Sequence, residues 1–127
     1  MLDHIGFGVS DYDRAKAFYT QVLGELGYGI VMDVEPPVHI GKACGFGPEG
    51  KPAFWITDDG KTAPHLHIAF LAPSREAVNR FYAKAMELGA TDNGAPGIRT
   101  EYHPNYYGAF VLDHDGHNIE AVCHNPE

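Results

Sequence analysis

The chain has 127 residues, 44% hydrophobic and 20% charged, which suits one domain or two half-domains sharing a core and argues against disorder. Its 17 acidic against 9 basic residues give a net charge of -8 with no basic run, which speaks against nucleic acid or an anionic membrane as partner. No apolar run approaches the roughly 20 residues of a membrane span, and no basic-then-apolar leader opens the chain, so a soluble, cytoplasmic protein is expected.

The run His4-Ile5-Gly6-Phe7-Gly8-Val9 reads as a strand. Asp11, after Ser10, then offers a helix cap, and Ala15, Phe18, Tyr19, Val22, Leu23 and Leu26 recur at helical spacing until Gly27 closes the helix. Strands are expected over 28–34, 38–46 and 52–57, followed by a polar turn over 58–64 that contains Gly60. His67-Ile68-Ala69-Phe70-Leu71-Ala72 opens the second series, with Ser74 as cap and a helix carrying Val78, Phe81, Tyr82, Ala85 and Met86 up to Gly89. The stretch 92–104 is poorly patterned. Strands over 106–113 and 117–124 follow, joined by a two-residue hairpin turn at Asp115-Gly116, with His114 and His117 flanking it in solvent. Cys44 and Cys123 are expected to be free, buried and unreactive.

The same signals arrive twice in the same order. Residues 4–19 overlay 67–82 at an offset of 63, with identity at His4/His67, Ile5/Ile68, Phe7/Phe70, Phe18/Phe81 and Tyr19/Tyr82. The chain is therefore read as one domain, 1–127, built from an internal repeat of 1–61 and 65–127, each half β-α-β-β-β. Neither half can bury its own sheet face. The expected fold is α+β, with paired βαβββ modules forming a curved mixed sheet around a cleft, within one chain or by exchange across a dimer.

His4 and His67 hold the same place in the two copies, so a pseudo-twofold axis would set two imidazoles facing each other as half of a divalent-metal site. Glu120 supplies a third ligand from Asn118-Ile119-Glu120-Ala121-Val122, an otherwise apolar strand where an uncompensated carboxylate is costly. A lone strand histidine is more often a hydrogen-bonded structural residue. The repeat-matched pair together with Glu120 favours a site. His65 shares a strand face with His67 and is a weaker, supporting candidate. Tyr102, His103, Tyr106 and Tyr107 cluster around Pro104: His103 is a candidate acid or base, and Tyr102 or Tyr107 a donor to developing oxyanion charge. Tyr106, Arg99 and Trp55 are candidate substrate contacts, Arg99 against a carboxylate and Trp55 as a cleft wall able to stack on a flat ligand.

Asp3-His4-Ile5, Phe18-Tyr19, His67-Ile68-Ala69-Phe70 and the closing Phe110-Val111-Leu112-Asp113, Asp115-Gly116 and Ile119-Glu120 resemble the vicinal-oxygen-chelate superfamily of glyoxalases, bleomycin-resistance proteins and dioxygenases. The resemblance covers essentially the whole chain. It implies that His4, His67 and Glu120 match three metal-ligand positions for Fe, Ni, Zn, Mn or Mg, and that the protein is a homodimer. It further implies a metal-dependent lyase or isomerase, dioxygenase or thiol transferase acting on a small molecule with vicinal oxygens, similar to lactoylglutathione lyase. The alternative is a non-catalytic small-molecule-binding protein of the bleomycin-resistance type. One departure is plain: glyoxalase I has a fourth-ligand glutamate on the last strand of its first half. Aligning Gly50 with Gly116 sets Phe54 there, or Trp55 with one residue of slip, and neither binds a metal or moves a proton.

Overall fold

Alternating apolar strands followed by one amphipathic helix are enough to close a small sheet on one side, and this chain does so twice. The computed structural model describes residues 1–127. Its order is β1 (Ile5–Gly8), α1 (Tyr12–Gly24), β2 (Gly29–Val34), β3 (Ala43–Gly47), β4 (Phe54–Thr57), β5 (His67–Leu71), α2 (Arg75–Glu87), β6 (Thr91–Ile98), β7 (Tyr107–Leu112) and β8 (Asn118–Cys123). The first unit comprises Met1–Gly24 and Tyr28–Pro64; the second comprises Glu25–Gly27 with His65–Glu127. The sheets run β1-β4-β3-β2 and β5-β8-β7-β6, and in each the opening strand pairs in parallel with the last while the other pairs are antiparallel. The α+β reading, with two βαβββ modules, is borne out.

The caps behave as the sequence indicates. Asp11 Oδ1 accepts from the Arg14 N–H at 3.1 Å, and Ser74 Oγ from the Ala77 N–H at 3.1 Å, so each helix start has an orphan amide satisfied. Gly27 (φ 91) and Gly89 (φ 93) take the left-handed conformation that lets the chain leave the helix, returning bonds from Tyr28 to Leu23 and from Ala90 to Ala85. In the first unit α1 packs on β2, β3 and β4 and buries Phe18, Tyr19, Val22 and Leu23 with Phe7, Phe46, Phe54 and Ile56. In the second, α2 packs on β6, β7 and β8 and buries Ala77, Val78, Phe81 and Ala85 with Val111, Ile119 and Ala121. Each large apolar side chain so buried contributes about 1.5–3 kcal/mol.

Three local expectations are corrected, and one expected strand receives its bounds. The strand expected over 38–46 is confined to Ala43–Gly47. Pro36 and Pro37 cannot donate to a ladder, the Val38 and His39 amides fold back to the Glu35 carbonyl, and Val38 and Ile40 stand exposed. The unpatterned stretch after α2 holds an eight-residue strand, β6, whose pairing with β7 shifts register twice around Gly94 and Pro96. The hairpin turn before β8 has three residues rather than two: Asp113 N–H bonds the His117 carbonyl, and Gly116 takes φ 88. His117 is fully buried instead of solvated, its Nδ1 accepting from the Leu66 N–H at 2.9 Å, while His114 is half-buried with Nε2 3.0 Å from the Leu88 carbonyl oxygen.

Both cysteines are free and buried, as expected. Burial pushes the Cys44 thiol up to about 12, and the nearby Asp33 charge adds to the rise. In a Cys123→Ala variant, Cys44 should therefore resist a colorimetric disulfide reagent at pH 8 until denaturant is added. Reaction of the folded variant at the rate of a free thiol would contradict this.

Candidate functional site

Strand alternation fixes which side chains meet on the face of the second sheet opposite α2. Across β5, β8 and β7 the register aligns Ala69, Glu120 and Phe110, with His67 one pleat repeat along from Ala69. Glu120 is 1% exposed, and its Oε1 lies 2.8 Å from His67 Nε2, whereas the His67 side chain is 53% exposed. The Tyr106 hydroxyl donates to the other carboxylate oxygen. Gly108 makes room for this approach, because a Cβ there would stand 3.2 Å from the Tyr106 ring and 3.4 Å from Glu120 Oε2. Burial first, then the bond to Glu120 and its charge, push the Tyr106 hydroxyl far up, so it stays a donor across the physiological range. No Lys or Arg pairs with Glu120; the His67 imidazole is its nitrogen partner.

The loop from Arg99 to Tyr106 is pinned at both ends. Arg99 N–H donates to the Tyr106 carbonyl at 2.8 Å, and the Tyr102 N–H bonds back to the Arg99 carbonyl at 3.0 Å. Tyr102 packs edge-on against Tyr106 at 5.0 Å between ring centres. His103 is exposed; its Nδ1 accepts from the Asn105 N–H at 3.0 Å, and its ring meets His124 at 5.7 Å. Tyr107 turns the opposite way, since neighbours on a strand alternate: its hydroxyl donates to Asn79 Oδ1 at 2.6 Å on α2, and Arg75 lies over its ring. Tyr106 and Tyr102 are thus gathered near Glu120, and Tyr107 is not. His65 is exposed ahead of β5. His124, in edge-on contact with Tyr106 at 5.2 Å, is an addition that the sequence marked only by its place after β8.

In the first unit, His4 lines a hollow of about 470 Å³ together with Gly6, Val34, His39, Ala43, Trp55 and Thr57. Its Nδ1 is 2.7 Å from Asp3 Oδ1, an arrangement that orients the ring. His39 was not singled out from the sequence, where it falls in a segment read as strand. The register settles the choice between Phe54 and Trp55. Gly6 pairs with Trp55 as Ala69 pairs with Glu120, so Trp55 holds the place in the first unit that Glu120 holds in the second. Glycines bed the indole: a Cβ at Gly6 would lie 2.9 Å from Trp55 Cβ, and one at Gly45 2.9 Å from its six-membered ring.

Neither unit by itself gathers three His, Cys, Asp or Glu side chains fit to hold a metal. His67 and Glu120 supply one imidazole and one carboxylate, and His4 stands at the matching place of the other unit. The imidazole and carboxylate of His67 and Glu120 suit a borderline divalent ion, and a carboxylate buried with no Lys or Arg beside it is one that a cation would complement.

The chain thus carries the fold of the glyoxalase kind, with Trp55 at the first-unit position that Glu120 holds in the second. The family model described as the Glyoxalase/Bleomycin resistance protein/Dioxygenase superfamily matches residues 1–26. A glyoxalase/bleomycin resistance protein from Albidiferax ferrireducens is 29% identical, with a TM-score of 0.77 over 97% of this chain and 98% of that one. A putative glyoxalase from Bacillus halodurans is 25% identical, with a TM-score of 0.66 over 97% and 95% of the two chains. A mutant of FosX, a fosfomycin resistance protein from Listeria monocytogenes complexed with Mn(II) and 1S,2S-dihydroxypropylphosphonic acid, shares the fold at 20% identity, with a TM-score of 0.68 over 96% and 90%. No curated protein matches the sequence. The superfamily resemblance read from the sequence is borne out. No helix is long and apolar enough to cross a membrane.

Proposed function

We propose that this protein is a metal-dependent enzyme acting on a small molecule with adjacent oxygens, with His4, His67 and Glu120 as the metal ligands. The observation that carries this reading is Glu120: a carboxylate 1% exposed, met by one imidazole and one phenol and by no Lys or Arg. A bound divalent ion would supply Lewis acidity toward two neighbouring substrate oxygens. Tyr106 holds the Glu120 carboxylate in place, and Tyr102 and His103, on the same loop, are the candidate proton donors and acceptors. Trp55 in the place of a fourth ligand removes the base that a thiohemiacetal isomerase of the glyoxalase I type would use. Thiol transfer, oxygen insertion or a different lyase or isomerase reaction suits the residues better. Assembly as a homodimer is part of the same reading.

Metal content and affinity after reconstitution with Zn, Ni, Mn or Fe test it. Wild type should bind about one ion per chain. His67→Ala and His4→Ala should each weaken binding by about 100-fold or more, judged against the 10- to 100-fold cost of losing even an outer hydrogen-bond partner. Equal metal binding by wild type and both variants would end the metalloenzyme reading. The hollow beside Trp55 supports a second reading, a non-catalytic binding protein that stacks a flat ligand on the indole. In that case ligand affinity survives chelation and replacement of the histidines.

A further inference from the structure

Arg99, one residue beyond β6, is placed with unusual care for an arginine on a loop. Its guanidinium carbon stands 5.4 Å from the centre of the Phe110 ring. Phe110 is the cross-strand neighbour of Glu120, and its ring centre is 6.2 Å from that of His67. Beside the guanidinium the strand is bare: a Cβ at Gly94 would lie 3.2 Å from Nη2, and one at Gly97 3.1 Å from Nη1. Nη2 donates to the Ala95 carbonyl at 2.8 Å, and the Arg99 backbone is held by Tyr106. The ion pairs of the chain engage Arg14 and Arg80 but not Arg99. A guanidinium has five N–H donors in a rigid plane, and here one is spent on the backbone. An aromatic ring behind the plane and two glycines beside it fix its orientation while leaving it uncompensated by any carboxylate.

We propose that Arg99 anchors an oxyanion, a carboxylate or a phosphonate, on a small substrate whose remaining atoms cross Phe110 toward Glu120 and His67. The second half of this statement rests on the site proposed above. The anion contact itself is a property of Arg99 and its bed. A planar fork recognises the paired oxygens of such a group through two parallel charge-assisted bonds, and a lysine at the same place would offer only a point charge.

The test uses the 127-residue chain stripped of metal, titrated with lactate, methylphosphonate and the neutral lactamide, and followed by calorimetry in every variant and through the Arg99 Nε–H resonance wherever Arg99 is present. Lactate and methylphosphonate should shift that resonance saturably, lactamide should not, and the tighter of the two anions identifies the group the subsite prefers. Arg99→Gln should weaken anion binding roughly 10- to 100-fold, the range expected for losing a charged bidentate partner. Gly97→Val keeps the charge but crowds the guanidinium, and should weaken anions by a similar factor; Arg99→Lys should fall between it and wild type. Gly97→Val and Arg99→Lys carry the test if Arg99→Gln does not fold. Lactamide binding as tight as lactate, or unchanged anion affinity in the Arg99 variants, would assign Arg99 a purely structural role as a partner of the Ala95 carbonyl. Because no metal is present, failure of the metalloenzyme reading leaves this result standing, and failure here leaves metal binding by His67 and Glu120 untouched.

Discussion

Glu120→Gln should lower divalent-metal affinity by about 100-fold or more, yet leave the metal-free protein as stable as wild type or more so. The two effects have one cause. Glu120 sits at 1% exposure with His67 Nε2 at 2.8 Å and the Tyr106 hydroxyl on its other oxygen. A carboxylate taken out of water carries a desolvation penalty of several kcal/mol, and the pair it forms with a half-exposed imidazole returns only part of that. Glutamine keeps the shape. Its carbonyl can accept from Tyr106, and its amide can donate to a neutral His67 ring nitrogen, so both contacts made by Glu120 are kept. What glutamine lacks is the charge a cation needs. Calorimetry in chelator should show an unchanged or raised Tm. Adding metal at 100 times the wild-type Kd should stabilise wild type by about 2.7 kcal/mol and the variant by far less. A metal-free variant destabilised by more than about 2 kcal/mol, with metal affinity intact, would make Glu120 the structural partner of His67 and nothing more.

The fold was legible because the repeat carries its own checks. Strand, cap, helix and left-handed glycine recur in one order, and Asp11, Gly27, Ser74 and Gly89 perform in the structure as their types require. The candidate site was legible in part. Glu120 stood out as an acid in an apolar strand, and the structure brings it to His67 and Tyr106. Which aromatic residue would meet it was not legible, because Tyr106 and Tyr107 are adjacent and point to opposite faces. Only the β7–β8 register decides between them. The choice between Phe54 and Trp55 failed for the same reason: one residue of slip exchanges the helix face for the hollow. β6 was expected from the repeat but could not be bounded in the sequence, because Gly94, Pro96 and Gly97 erase its alternation, and bulges absorb the mismatch. His117 looked like a turn residue. The longer turn instead makes it part of a buried hydrogen-bonded corner, where Asp113 Oδ1 accepts from the His117 N–H at 2.9 Å.

The repeat itself misleads at one pair of positions, and that yields the other large effect. Tyr19 and Tyr82 are equivalent by sequence, each following a phenylalanine on a helix. Tyr19→Ala should cost about 3–5 kcal/mol, the range for emptying a packed aromatic site. Tyr82→Ala should cost far less, since it gives up only a solvent-accessible hydrogen bond. Tyr19 is 1% exposed, with its ring centre 5.0 Å from those of Phe18 and Phe54, 6.3 Å from Phe7 and 6.4 Å from Phe46. In the second unit the register sets Ile119 where the first has Phe54, and Val111 where it has Phe46. An aromatic box in one sheet is thus an aliphatic layer in the other, with Phe81 rather than Tyr82 filling it. Tyr82 is only half-buried, and its hydroxyl donates to Asp92 Oδ1 at 2.8 Å. Urea unfolding of the two variants, compared at equal m-values, measures the difference. Equal losses would mean that the halves share a packing scheme as well as a topology, contrary to an aromatic core in one and an aliphatic core in the other.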